Sequence, residues 1–471
     1  MKVSSILEDI LPLTPIQEFF LDGGSCSTPV NILLYGYRLE GDLDPLQAQK
    51  NWQDIVDTFP SLRTSLHVLE PGRAFQAIHR HAALPWYYED LSLLPPVEKE
   101  EKIYEYQRHA AGTLFDWLSP PLLKVALHKL GDREWMMTVV MDHMIFDGWS
   151  LGLAMNAFLS ACSGMGPTNI HPAPSIASFS LWQKSQDHAA AMDWFAKYLD
   201  NIPDQKLPFA SQAPWPSEIM AEDMIFLRLT DKEEERITNG AKKLGITTYT
   251  LFQGAWALIL SRCQEEKSAY FLSSVAVRPS SVPGIEQIFG LLLGVIPICL
   301  RCQDGVKCAS WLEELRTYQV ESMDYNYASP GELASFQKKT RPGAQISCMV
   351  FQNMDTGERE ATTDANMLRI AGGGTISRSG YALVVGGLPH QGLTLSFMYD
   401  KRIFSKQGVE KLATLFRQTM LSLSNCADAT LEQLCNAPEL APLLDEACRT
   451  VSLPHSAIKE FRNEALIGEA H

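Results

Sequence analysis

Apolar and polar positions follow two rhythms along the chain. Apolar residues recur every three or four positions at Pro15–Leu21, Asp44–Phe59, Val97–Ala111 and Trp149–Ser163, which predicts amphipathic helices. They alternate with polar ones at Asn31–Leu39, which predicts a strand. Two apolar runs, Leu122–Leu130 and Glu134–Met141, flank Gly131-Asp132-Arg133 and predict a hairpin. Helical spacing over Ser178–Leu199 predicts one long bridging helix, between Pro-, Ser- and Asn-rich stretches at His171–Pro174 and Asn201–Pro216.

The pattern then restarts. A strand is expected at Asp223–Leu229, a helix opened by Thr230 and Asp231, and a second helix at Thr248–Cys263. Strands follow at Ala269–Val277, Gly294–Leu300, Ala344–Gln352, Gly380–Val385 and Leu393–Tyr399, and a helix at Lys406–Leu423 closes the body. Beyond about Cys426 the pattern weakens, as in a tail that is ordered at first and then frays. The chain therefore reads as α/β, in two halves of about 200 residues without a sequence repeat. The expected division is 1–177, a linker at 178–220, a second lobe at 221–425 and a tail at 426–471.

Composition narrows the function. With 46% hydrophobic and 20% charged residues the chain is globular. A formal charge of −15 argues against a nucleic-acid partner and an anionic membrane surface. No apolar run reaches about 18 residues, so neither a membrane span nor a signal peptide is expected, and the chain reads as cytoplasmic. The ten cysteines are too sparse for a disulfide scaffold and read as reduced thiols; Cys299 and Cys302 form a CxxC without the further ligands a zinc site needs.

The densest chemistry is Asp142-His143-Met144-Ile145-Phe146-Asp147-Gly148-Trp149-Ser150, where the second hairpin strand gives way to a helix. Imidazole titrates near neutrality and can accept a proton from an attacking amine or hydroxyl. Two flanking carboxylates could fix its tautomer, and Gly148 leaves room for a second backbone. Read alone, the segment fits equally a histidine at a strand end between two helix-capping acids.

This segment resembles the HHxxxDG signature of nonribosomal peptide synthetase condensation domains, of the chloramphenicol-acetyltransferase-like superfamily. The similarity extends over roughly residues 9 to 425. Leu11 to Glu18, Phe59 to Thr64, Pro121 to Met141, Thr248 to Leu260, Val275 to Arg278, Gly290 to Pro297, Val350 to Asn353, and Tyr399 with Asp400 and Phe404 resemble successive blocks of that family. The resemblance implies a V-shaped pseudo-dimer of two lobes with a tunnel between them. Within it His143, Asp147 and Gly148 are the expected active-site set. Arg278 is implied as the ion-pair partner of Asp147, with Asp142, Ser150 and Trp149 as supporting residues.

The implied activity is acyl transfer from a thioester to an amine, giving an amide in secondary (antibiotic-type) metabolism. The donor would ride on the phosphopantetheine arm of a carrier protein, or on CoA; no bound cofactor or metal is expected. Holding no adenylation or carrier segment, the chain reads as a free-standing monomer meeting its carrier in trans. Three variants stay open: an alcohol acceptor, a heterocyclization enzyme (Asp142, Asp147 and Ser150 satisfy DxxxxDxxS), and an inactive domain that recruits a carrier protein. The chain departs from the family pattern at Asp142, where a histidine is usual, and at Gly294, Val295, Cys299 and Asn326 in the second half.

Overall fold

The computed structural model describes residues 6–21, 32–70, 73–163, 175–199, 205–211, 222–264, 267–338, 347–351, 368–377, 381–388, 392–426 and 428–449. In the first half the strands are β1 (Leu7–Pro12), β2 (Ile32–Glu40), β3 (Thr64–Glu70), β4 (Arg73–His79), β5 (Trp86–Asp90), β6 (Leu123–Lys129) and β7 (Glu134–Asp142). In the second they are β8 (Glu222–Arg228), β9 (Ser268–Ala276), β10 (Leu293–Arg301), β11 (Ser347–Phe351), β12 (Arg369–Ser377), β13 (Leu383–Leu388) and β14 (Thr394–Asp400). The first-half helices are α1 (Pro15–Leu21), α2 (Pro45–Thr58), α3 (Pro96–Gly112) and α4 (Gly148–Cys162). Two helices, α5 (Ile176–Lys184) and α6 (His188–Leu199), lie between the halves in sequence. The second half carries α7 (Asp231–Lys243), α8 (Thr248–Arg262), α9 (Cys308–Ser322), α10 (Pro330–Lys338), α11 (Lys406–Leu423), α12 (Leu431–Cys435) and α13 (Ala441–Ala447).

These strands build three sheets. A five-stranded sheet runs β12-β2-β7-β6-β5, a six-stranded sheet β10-β9-β11-β13-β14-β8, and a small one β1-β4-β3. The expected hairpin is β6–β7, in register from Leu123 opposite Met141 to Lys129 opposite Trp135. Its odd-numbered residues Leu123, Val125 and Leu127 enter one core with Trp52 and Val56 of α2 and Phe158 of α4. Helix α8 is buried on nearly its whole circumference, so it reads as apolar all round and forms the axis of the second core, against β9 and α11.

One expectation changes. Ser178–Leu199 is two helices, because Ser185 caps the end of α5 and the Asp187 carboxylate accepts Ala190 N–H (3.0 Å) to start α6. The tail beyond Cys426 begins ordered, as expected: Leu431, Leu434, Leu444 and Ala447 are buried, and Phe209 N–H donates to Ala447 O at 3.0 Å. Strand β12, from the second half of the sequence, pairs antiparallel with β2 in the first-half sheet. Glycine suits that crossing, since a side chain on Gly373 would meet Gly36 O at 2.4 Å.

The halves also meet in a small apolar cluster of Ile78, Ile176, Phe179, Val277, Ile285, Ile288 and Leu292. Ser61 donates to Phe289 O at 2.6 Å, and the Phe59 and Phe289 rings lie 5.0 Å apart. This seam sits directly against the DHMIFDGWS segment.

Candidate active site

Strand β7 ends at Asp142 and α4 begins at Gly148; a single 3₁₀ turn, His143–Ile145, joins them. Two carboxylates shape this loop. Asp142 Oδ1 accepts Met144 N–H at 3.0 Å and starts the turn; its Oδ2 accepts the indole N–H of Trp117 at 2.7 Å. Asp147 Oδ1 accepts Ser150 N–H at 2.8 Å and caps α4. Gln17 of α1 donates from Nε2 to Met144 O at 2.7 Å and ties the turn down from the other side.

The consequence falls on His143. Its Nδ1 lies 2.7 Å from Phe146 O. A carbonyl oxygen only accepts, so Nδ1 carries the proton and the neutral ring presents a bare Nε2. The ring is half-buried between Phe20 (5.4 Å) and Phe146 (5.6 Å). Burial pulls its pKa below the ordinary histidine value, against weaker opposing pulls from Phe146 O and the Asp147 charge. The imidazole is therefore neutral near pH 7, with one lone pair for a proton or an amine N–H.

Asp147 is used differently from His143. Arg278 Nη2 lies 3.2 and 3.1 Å from its two oxygens, and both side chains are nearly buried. Leu292 N–H and the Ser150 hydroxyl also bond to the carboxylate, at 3.1 and 2.7 Å. Both of its oxygens are thus tied to Arg278, Leu292 and Ser150. Arg278 Nη1 donates to Ile285 O (2.8 Å) and Ile288 O (3.0 Å), so the pair binds the motif to the 285–292 segment of the second half.

Ser150 and Trp149 extend that junction. Ser150 Oγ accepts Gly290 N–H at 2.9 Å, and the Trp149 indole donates to Glu286 O at 2.8 Å beneath the Arg278 guanidinium (5.1 Å). Gly148 is half-buried as the first residue of α4.

Both Asp142 oxygens are thus bonded within and beside the loop, to Met144 N–H and the Trp117 indole. The carboxylate whose charge favours protonated His143 is Asp147. The pKa of Asp142 is pushed up to about 6 by burial, against the bonds from Met144 and Trp117.

The backbone at Asn326 accounts for the glycine at 294. A side chain at Gly294 would stand 2.8 Å from Asn326 O, so the two backbones touch. Val295 is buried beside them and Cys299 is half-buried on β10, its thiol pushed up to about 11 by burial. Other candidates resolve into packing: Arg63 pairs with Glu8 at 2.8 Å, and Tyr325 stacks on Trp194 at 5.1 Å. The basic cluster at 338–341 and the segment from 352 to 355 lie outside the described residues or side chains. Among the described residues no cluster of metal ligands occurs, and no helix is long and apolar enough to cross a membrane.

The sequence pattern does not single out Gln17, Phe20, Trp117 or the carbonyls of 285–288. Gln17 lies inside a block shared with the family; nothing in the local pattern marks Trp117 as the partner of Asp142.

Comparison with known proteins agrees with this architecture. The chain is 24% identical over 433 residues to a linear gramicidin synthase of Brevibacillus parabrevis, covering 88% of this chain and 5% of that protein. It is 21% identical to surfactin synthase subunit 3 of Bacillus subtilis, covering 86% of this chain and 32% of that protein. It thus spans a minor part of these curated relatives. Among solved structures, the condensation domain of a monacolin K polyketide synthase superposes with a TM-score of 0.75 at 12% identity, covering 90% of this chain and 99% of that one. The first condensation domain of the CDA synthetase gives 0.73 at 14%, covering 90% and 98%. The condensation-domain family model matches residues 7–440, and the chain belongs to that family.

Proposed function

We propose that this condensation domain joins an acyl thioester to an amine, forming an amide in nonribosomal-peptide-type synthesis. The observation that carries the reading is the His143 tautomer: Nδ1–H is committed to Phe146 O, which leaves Nε2 to receive the acceptor. The donor acyl group arrives on the phosphopantetheine arm of a carrier protein. Its thioester is already activated, so the chain needs no metal and no nucleophilic serine. The amine attacks the thioester carbon while His143 Nε2 holds or accepts the amine proton, and the carrier thiol leaves. The tetrahedral intermediate carries an oxyanion, which a nearby N–H stabilises. Juxtaposition of the two substrates in one tunnel supplies much of the acceleration. Asp147 and Arg278 act by holding the motif against the second half, and Gly148 keeps the acceptor path clear.

The test is a mass-spectrometric coupling screen of acyl-carrier and acyl-CoA thioesters against a panel of amines and alcohols, with His143→Ala alongside. Amide formed by the wild type and lost in the variant supports the reading. Ester as the product would replace the acceptor class, and loss of a further water would replace condensation by heterocyclization. Tight carrier binding by both proteins without product would replace catalysis by recruitment.

A further inference from the structure

We propose that Cys263 and Cys448 are a redox-modifiable thiol pair, closed to a disulfide by exchange with a small-molecule disulfide. Closure fastens the C-terminal helix α13 to the end of α8. Cys263 is the C-cap of α8 and Cys448 the C-cap of α13, so two helix ends 185 residues apart in sequence deliver their thiols to one point. The sulfurs lie 2.7 Å apart, and a disulfide needs about 2.0 Å.

Access and charge favour reaction here. Cys448 is exposed and Cys263 half-buried. The thiol contact holds a proton on Cys263 and lowers the pKa of Cys448, against the opposing effects of burial and the Asp445 charge and with a smaller pull from Arg262. A second thiol contact, Cys308 with Cys426, lies in the same half, but both of its residues are buried. Among the described residues the molecule thus contains its own comparison: two close thiol pairs, one open to solvent and one closed.

The exchange is balanced. The Cys448 thiolate attacks one sulfur of the small disulfide and expels a thiolate, which takes up a proton. Cys263 then gives up its proton and attacks the Cys448 sulfur, expelling the second small thiol. Two protein thiols and one small disulfide become one protein disulfide and two small thiols; the two electrons leave with the small thiols.

What closure changes is the attachment of the tail. Helix α13 is seven residues long and is held by Leu444 and Ala447, the Lys411–Glu446 ion pair and the Phe209 bond. So short an element opens locally at low cost, and a covalent tie to α8 suppresses that opening.

The full chain, incubated with oxidised glutathione and then alkylated, is digested with trypsin without reductant. The tryptic peptide ending at Arg449 also holds Cys426 and Cys435, so fragmentation must locate the bond. The expected product links Cys263 to Cys448, carries no glutathione and is reopened by dithiothreitol. Cys308 and Cys426 stay free. Amide exchange in α13 slows by about tenfold on closure. Cys263→Ser is expected to trap glutathione on Cys448. A wild-type protein that keeps glutathione on Cys448 with Cys263 alkylated would overturn the proposal. So would a bond from Cys448 to Cys426 or Cys435, or no reaction at Cys448.

Discussion

Replacing Asp142 by Asn gives the most direct reading of how the strand end is stabilised. The Asp142 side chain is buried, and burial pushes its pKa from 3.8 to about 6 despite two hydrogen bonds. The folded protein therefore holds this proton more tightly than the unfolded chain. The associated stability is complete below pH about 4 and is lost as pH rises through about 6. A rise of about two pH units, at 1.36 kcal/mol for each, amounts to about 3 kcal/mol over the full range. Between pH 4.5 and 7.5 the expected change is about 2 kcal/mol. Asn keeps the shape and removes the titration, although its amide group must face either Trp117 or Met144. That fixed mismatch shifts the variant's stability by a constant and leaves the slope untouched. Denaturant unfolding of both proteins across the window measures the difference. The wild type should lose about 2 kcal/mol relative to Asp142→Asn on going from pH 4.5 to 7.5. A flat difference would refute the burial argument. An opposite slope would mean that the Trp117 and Met144 bonds outweigh desolvation.

The junction and the site yield further expectations. Arg278→Met strands the Asp147 carboxylate in a buried setting and should cost about 3–5 kcal/mol in denaturant unfolding; adding Asp147→Asn should restore part of the loss. Gly294→Ala drives a methyl group to 2.8 Å from Asn326 O and should destabilise by about 1–3 kcal/mol, seen as a lowered melting temperature. Nitrogen NMR of ring-labelled protein at pH 7 should find His143 neutral with its proton on Nδ1. Turnover should stay flat as pH falls until it passes below the ordinary histidine pKa, because the folded ring resists protonation.

What can be read from the chain follows from where each interaction lives. The β6–β7 hairpin is legible because its alternation and its turn are local, and both stand in one stretch of about 20 residues. The same holds for α11, found at Lys406–Leu423 as expected, where an apolar stripe and a Ser405 cap agree. Strand β12 is not legible. Its three consecutive glycines have no side-chain pattern, and its partner β2 is more than 300 residues away. The break between α5 and α6 escapes the pattern for a related reason: Ser185 and Asp187 change little in apolar spacing, and capping decides the matter. The Arg278–Asp147 pair comes only through family resemblance, since neither charge announces a partner 131 residues distant.

The two acidic positions of the motif show why a residue type does not by itself name a role. Asp142 and Asp147 stand on either side of His143, and spacing alone suggests carboxylates serving an imidazole. Each instead has its oxygens committed elsewhere, one to Trp117 and a turn N–H, the other to Arg278, Leu292 and Ser150. The group that orients His143 is the backbone carbonyl of Phe146, which no side-chain pattern can encode. That carbonyl points correctly only while the loop between the two carboxylates keeps its shape. Both acids therefore hold the imidazole through backbone geometry, with the Asp147 charge adding a weaker direct pull, and their substitution should displace the ring before it alters the ring's charge.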